Sequence, residues 1–303
     1  MFKKILFPVD FSLHSNTLLN CIPNLKKAGM EEIILVHVID PTEAVQWANV
    51  EEAITARKEE AEEKMRSIIS ATFPLHAGIK GSVMTAIGLP YREILRIADE
   101  HEVSLIVMGS HGHGFWERAI LGSVAHNVLR KTRVPVIIAK LTCIEENGEK
   151  KTVCMGMQNI FRKILCPTDF SESSMSALRL IGRLEKSGME KVIVVHIQDT
   201  RKLLPHLKHK MKEFNKIDSE RLAKIQTQLE PAGYKVKTIL QEGVPSVAIN
   251  KIAEEEDISV IVLSSQGRSA IKEALMGSVS EAITRDHVRP VMIIPRNIVM
   301  QDC

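Results

Sequence analysis

Lys3-Lys-Ile-Leu-Phe-Pro-Val-Asp-Phe-Ser12 returns 159 positions later as Arg162-Lys-Ile-Leu-Cys-Pro-Thr-Asp-Phe-Ser171, and Val36-His-Val-Ile-Asp40 returns at the same offset as Val195-His-Ile-Gln-Asp199. This duplication constrains the fold more than any other feature of the 303 residues. From Gly88 onward the offset becomes 155, since Gly88, Gly112 and Pro135 reappear as Gly243, Gly267 and Pro290. A unit this long exceeds any solenoid repeat and matches a whole domain. Two copies of one domain are therefore expected, over residues 1–140 and 160–303, with residues 141–159 as the connector. The second copy is four residues shorter between its second strand and its third helix.

Within each copy, short apolar runs alternate with longer helical patterns. Ile5-Leu-Phe7, residues 33–38, Leu105-Ile-Val-Met108 and Val136-Ile-Ile-Ala139 are unbroken and apolar, as strands are when helices cover both faces of their sheet. A weaker strand over 79–87 carries Gly81, with Gly78 just before it. Helices are predicted over 12–28, 50–71, 90–101 and 123–131. Ser12 and Ser171 are placed as N-caps, with Pro90 and Pro245 in first helical turns. The alternation predicts an α/β fold of two tandem doubly wound domains, each a five-stranded parallel sheet with right-handed crossovers. In the strand order 3-2-1-4-5, the ligand crevice opens between the first and fourth strands. In the connector, Asn147-Gly148 sits between β-prone runs, so an ordered hairpin and a flexible polar linker both fit. A hairpin with those two turn residues sets Cys143 opposite Thr152, which gives no disulfide to Cys154.

Composition narrows the function classes. The 40 basic and 37 acidic residues leave a net charge of +3 with no concentrated basic block, which argues against nucleic acid. No apolar stretch approaches a membrane span, and Met1-Phe-Lys-Lys runs directly into a strand, so a cytoplasmic protein is expected. Five cysteines without a Cys-x-x-Cys spacing suggest reduced thiols. His111 and His113, with His14 and His37 near them, fall short of a closed metal site, and no metal site is expected. The charged stretch 51–66 reads as the solvated face of a helix. The basic stretch 202–216 fits a core-covering helix, with a partner-binding or membrane-surface helix as the alternative.

The chemistry is concentrated in one spacing. Gly109-Ser-His-Gly112 follows the fourth strand and, nine residues on, Gly122-Ser123 opens a helix. Glycines admit close backbone approach and positive φ, and the helix start offers unpaired N–H groups to an anion. The Ser123 hydroxyl either caps that helix or reaches a phosphate. A plain strand-to-helix turn would use glycine as well. No Walker Gly-x-x-x-x-Gly-Lys-[Ser/Thr] occurs, nor Gly-x-Gly-x-x-Gly after the first strand, so Walker and NAD-type sites lose their support.

These residues resemble the nucleotide-binding branch of the universal stress protein family, whose pattern is Gly-x-x-Gly-(nine residues)-Gly-[Ser/Thr]. The resemblance covers almost the whole chain, through the Pro-x-Asp-Phe-Ser turns, the Val-His strands and the Pro135-Val136 and Pro290-Val291 strand entries. It implies the adenine-nucleotide α-hydrolase-like fold and an ATP, ADP or AMP ligand, with or without Mg²⁺. By that resemblance Pro8, Val9 and Asp10 border adenine and ribose, and Val38 offers backbone hydrogen bonds to adenine. Met108, Gly109, His111, Gly112, Gly122, Ser123 and Val124 wrap ribose and phosphates. Asp10 also fits a turn-forming role. In the second copy the matching positions are Pro167, Thr168, Asp169, Ile197, Gln266, Gly267, Gly277, Ser278 and Val279. Ser264 there replaces the first motif glycine, and Arg268 and Ser280 are offered as compensating phosphate contacts. A non-glycine residue forced to positive φ costs roughly 1 kcal/mol or more, so tighter binding is expected in the first half. The resemblance further implies pairing of the halves through their fifth strands as a pseudo-dimer, with further association into a homodimer left open. Three functions remain: a nucleotide-responsive stress-response module, a slow nucleotide hydrolase or phosphotransfer enzyme, and a ligand-free structural protein. No catalytic residue is assigned.

Overall fold

A computed structural model describes residues 1–42, 50–73, 78–110, 121–139, 141–146, 149–154, 157–184, 188–201, 210–267, 276–286, 288–296 and 298. The first half runs β1 (Lys4–Pro8), α1 (Leu13–Leu19), β2 (Glu32–Ile39), α2 (Val50–Thr72), β3 (Lys80–Ile87), α3 (Pro90–Glu100), β4 (Leu105–Gly109), α4 (Ser123–Lys131) and β5 (Val136–Ala139). A hairpin follows, β6 (Leu141–Glu146) and β7 (Glu149–Cys154). The second half repeats the plan as β8 (Lys163–Pro167), α5 (Glu172–Gly182), β9 (Lys191–Asp199), α6 (Met211–Leu229), β10 (Lys235–Gly243), α7 (Pro245–Glu255), β11 (Val260–Ser264), α8 (Ser278–Arg285) and β12 (Val291–Ile294).

Each half has the strand order 3-2-1-4-5, all parallel. The two halves meet at β5 and β12, which pair antiparallel through Val136↔Ile293, Ile137↔Met292 and Ile138↔Val291. The result is one continuous ten-stranded sheet. Every residue of β5 and β12 is buried, so the junction is built like the interior of a sheet, and neither strand is left as an edge. Alternation of side chains sends Ile137 and Met292 into the apolar layer that holds Leu18, Met65, Leu178 and Leu222 of α1, α2, α5 and α6. Ile138 and Val291 go to the opposite layer with Ile97, Val128, Ile252 and Ile283 of α3, α4, α7 and α8.

One local expectation is corrected and another is strengthened. The helix predicted over 12–28 is two elements, α1 and a 3₁₀ helix at Ile22–Ala28. Pro23 lies in the first turn of the second element; lacking an N–H and clashing with the preceding turn, proline stops a helix and suits the start of the next. The weak third strand is a full eight-residue strand paired along β2 from Glu32↔Lys80 to Ile39↔Ile87. Gly81 belongs there because a Cβ at that position would run into Ile69 of α2. In the connector the hairpin forms with Cys143 opposite Thr152; its turn residues 147 and 148 lie outside the described residues.

Candidate functional site

β1 and β4 lie side by side with Ile5 opposite Leu105 and Leu6 opposite Ile106, and their carboxyl ends open into one cleft. A cavity of about 780 Å³ occupies that position, within the size range of small-molecule sites. It brings together Pro8, Val9, Asp10, Val38, Met108, Gly109, Gly122, Ser123 and Val124, all expected from the sequence. His111 and Gly112 lie outside the described residues.

The wall on the β2 side follows from strand length. β2 outruns β1, whose last ladder partner is Pro8 opposite Val36. The Val36 carbonyl accepts the Val9 N–H at 2.8 Å. Two residues further, Val38 turns its own N–H and C=O to that same side, where the ladder with β1 has ended. This backbone edge faces the cleft and can pair with the polar edge of a base.

The turn after β1 is held from several sides. Asp10 Oδ1 accepts the backbone N–H of Ser12 at 3.0 Å and its hydroxyl at 2.7 Å; Asp10 thus forms the turn and also lines the cleft. Ser12 in turn caps α1 by accepting the Ser15 N–H. Phe11 sits at φ 57°, an uncommon conformation for a bulky residue. Its ring packs on His37 at 4.7 Å, and His37 Nδ1 lies 2.7 Å from the Val9 carbonyl. The second half repeats the device: Phe170 at φ 60°, its ring 4.4 Å from that of His196, and His196 Nδ1 2.7 Å from the Thr168 carbonyl.

The opposite wall is the start of α4. Gly122, at φ −57°, is the N-cap, and no side chain caps the helix. Its own N–H donates to the Ser110 carbonyl at 2.9 Å. The N–H groups of Ser123, Val124 and Ala125 are the helix's unpaired first-turn donors and lie along the cavity. Ser123 is the first helical residue, so its exposed side chain is available at the cleft and is not the cap. Among the described residues the motif glycines are not needed for positive φ: Gly109 is a strand residue opposite Ala139, and Gly122 and Gly277 have φ −57° and −64°. At Gly267 the physical reason is close approach. A Cβ on Gly267 would stand 2.8 Å from Asp169 Oδ2, and one on Gly277 would stand 3.4 Å from the Gly267 nitrogen.

The second-half positions assemble in the same order, and several of their polar groups are engaged within the protein. Ser264 is a strand residue opposite Ile294, so no positive φ is demanded of it. Its hydroxyl donates to the Gln266 carbonyl, which also accepts from Ser173, each at 2.7 Å. Ser280 is buried and donates to the Ser264 carbonyl at 2.7 Å, so its proton secures the loop and is not offered to a phosphate. Gln266 is buried and accepts from Arg296, and Ile197 is buried where Val38 is half-exposed. Asp199 is clamped by two 2.8 Å bonds from Arg201, whereas its counterpart Asp40 accepts from Thr42 and lines the first cavity. Asp218 of α6 approaches His196 at 3.5 Å and accepts from Gln198 at 3.0 Å. Gly277, Ser278 and Val279 open α8 as Gly122, Ser123 and Val124 open α4; Arg268 lies outside the described residues.

Sequence reasoning missed several first-half cavity residues, among them Asp40, Arg57, Leu89 and Tyr91, and it set His37 near the loop only as a histidine short of a metal site. His37 and Asp40 had a signal: both survive the duplication as His196 and Asp199. Arg57 had none, since it belongs to the charged stretch of α2 that reads as solvated. Among the described residues, no group of three or more His, Cys, Asp and Glu is placed to hold a metal, and no helix is long and apolar enough to cross a membrane.

A model of the universal stress protein family matches residues 1–140 and again 160–295. A universal stress protein of Methanocaldococcus jannaschii is 33% identical over 159 residues, covering 46% of this chain and 98% of that protein. One of Bacillus subtilis is 29% identical over 147 residues, covering 45% of this chain and 99% of that protein. Across both halves, the crystal structure of a universal stress protein from Archaeoglobus fulgidus superposes with a TM-score of 0.72 at 25% identity, covering 98% of this chain and 99% of that one.

Proposed function

The chain belongs to the universal stress protein family, matched over both of its halves, and from that premise we propose that its first half binds an adenine nucleotide, ATP, ADP or AMP. The observation that carries this reading is the cavity of about 780 Å³ at the β1–β4 switch, where a base-pairing backbone edge and a helix N-terminus face one another. Adenine lies against Val38, whose N–H and C=O match the adjacent acceptor and donor of the base edge, with Val9 and Leu89 as apolar walls. Asp10 and Asp40 supply acceptors suited to ribose hydroxyls. The phosphates lie at the start of α4, where Ser123, Val124 and Ala125 offer N–H donors and the helix dipole favours negative charge. The chain then acts as a nucleotide-responsive regulatory or interaction module.

The second half binds more weakly or takes a shorter phosphate chain: Asp199 is clamped by the Arg201 guanidinium, and the hydroxyls of Ser264 and Ser280, bonded within the loop, add no compensating phosphate contact. Heat denaturation of the purified protein, followed by chromatography of the released material, tests the proposal, with equilibrium dialysis of the stripped protein against ATP alongside. Adenine nucleotide is expected in the supernatant or rebound in dialysis. Its absence from both would overturn the reading.

A further inference from the structure

We infer that Cys21 and Cys154 form a peroxide-driven, reversible disulfide that fastens the connector to the first half. The two residues are far apart in sequence and meet in space. Cys21 follows α1 and starts the 3₁₀ helix at Ile22–Ala28, while Cys154 ends β7, buried in the apolar layer beneath α1. Both sulfurs approach one acceptor, the carbonyl oxygen of Thr17, at 3.7 Å from Cys21 Sγ and 3.6 Å from Cys154 Sγ. Each thiol is the chief influence on the other's titration. Among the described residues no group of three or more His, Cys, Asp and Glu is placed to hold a metal there.

Their environments divide the chemistry. Hydrogen bonding from Cys154 holds the Cys21 thiol below its ordinary range, and Cys21 is only half-buried; Cys154 is buried and its thiol is pushed well up by Cys21 and by desolvation. The Cys21 thiolate is thus the group that meets an oxidant, since thiolate character and access govern reactivity. It attacks hydrogen peroxide, the O–O bond breaks, and Cys21 becomes a sulfenic acid as hydroxide leaves and is protonated to water. Cys154 sulfur then displaces the sulfenic oxygen, the S–S bond forms, and the Cys154 proton departs with that oxygen as a second water. In sum two thiols and one peroxide give one disulfide and two waters. Cys166, wholly buried in β8 with its thiol pushed up to about 12 by desolvation, stays out of the reaction.

The test uses the full chain, treated with hydrogen peroxide, quenched with catalase, blocked with iodoacetamide and mapped by mass spectrometry without reduction. A cross-linked peptide pair containing Cys21 and Cys154 is expected, lighter by two hydrogens than the free pair and abolished by dithiothreitol. The monomer should also migrate faster on a non-reducing gel. Cys21→Ser removes both signals, and Cys143→Ser and Cys303→Ser keep them. Recovery of Cys21 as sulfinic or sulfonic acid with Cys154 still alkylated, or a bond that instead joins Cys143 or Cys303, overturns the inference. The wild-type map decides the matter even if a cysteine variant fails to fold.

Discussion

Phe11 and Phe170 hold left-handed backbones, at φ 57° and 60°, a conformation costing of order 1–3 kcal/mol that persists only where the surroundings fix it. The fixing residues are the histidines of the second strands. His37 clasps the Val9 carbonyl at 2.7 Å and packs its ring on Phe11, so replacing it removes a hydrogen bond worth about 1 kcal/mol and a ring contact of similar size. His37→Ala should therefore lower unfolding stability by roughly 1–3 kcal/mol, measured by urea titration, and weaken nucleotide binding, because the freed turn carries Val9 and Asp10. His196→Ala should cost similar stability with little effect on binding. Unchanged stability in both variants would contradict this account of the turn. The histidine was readable in the repeated Val-His pair, but its function was not. A strand histidine between apolar neighbours gives no hint that its ring reaches back to a carbonyl one strand away, a contact that exists only once β1 and β2 pair.

At the scale of elements, the sequence carried most where one face or one cap decided the outcome. Ser12 and Ser171 cap α1 and α5 as expected, and Pro90 and Pro245 open α3 and α7. It carried least where a neighbouring element decided: Gly81 looked like a weakness in β3 until α2 was packed against it. The glycines of the repeated motif were legible by spacing, yet the reason for Gly267 was not, since its close approach to Asp169 depends on two loops meeting. Another junction of elements gives a pH test. Glu256, just beyond α7, accepts from Lys191 of β9 and Lys237 of β10, and these bonds hold its carboxyl down to about 2. An unfolded glutamate titrates at about 4.3, so the folded value is the lower one. The pairing then contributes its full stability above about pH 5 and loses it as pH falls toward 2. Glu256→Gln should lower the melting temperature at pH 7, and the gap to wild type should narrow progressively between pH 5 and pH 3. A gap that stays constant over that range would exclude the ion-pair account.

The whole molecule is organised by the antiparallel seam of β5 and β12, which makes one chain do what two identical domains would do around a two-fold axis. Residues 1–140 alone would leave Val136–Ala139 as an exposed apolar edge, and such edges recruit partners. That half should accordingly sediment as a dimer, whereas a stable monomer would mean that the seam is not what satisfies β5. The same duplication lets the two clefts diverge without disturbing the shared sheet. The second keeps the turn, the histidine and the helix start, and turns its remaining polar groups inward through Ser264, Ser280 and Asp199. The unequal clefts are tested most directly by isothermal titration of ATP into nucleotide-stripped wild-type, Gly122→Val and Gly277→Val proteins. Both glycines have negative φ, so the backbone itself accepts valine and the side chain acts on the loop. Gly122→Val should lose the tight site, weakening it by more than about tenfold, or 1.4 kcal/mol, while Gly277→Val keeps it. Equal losses in the two variants, or no saturable binding in the wild type, would contradict the assignment of the nucleotide to the first-half cleft.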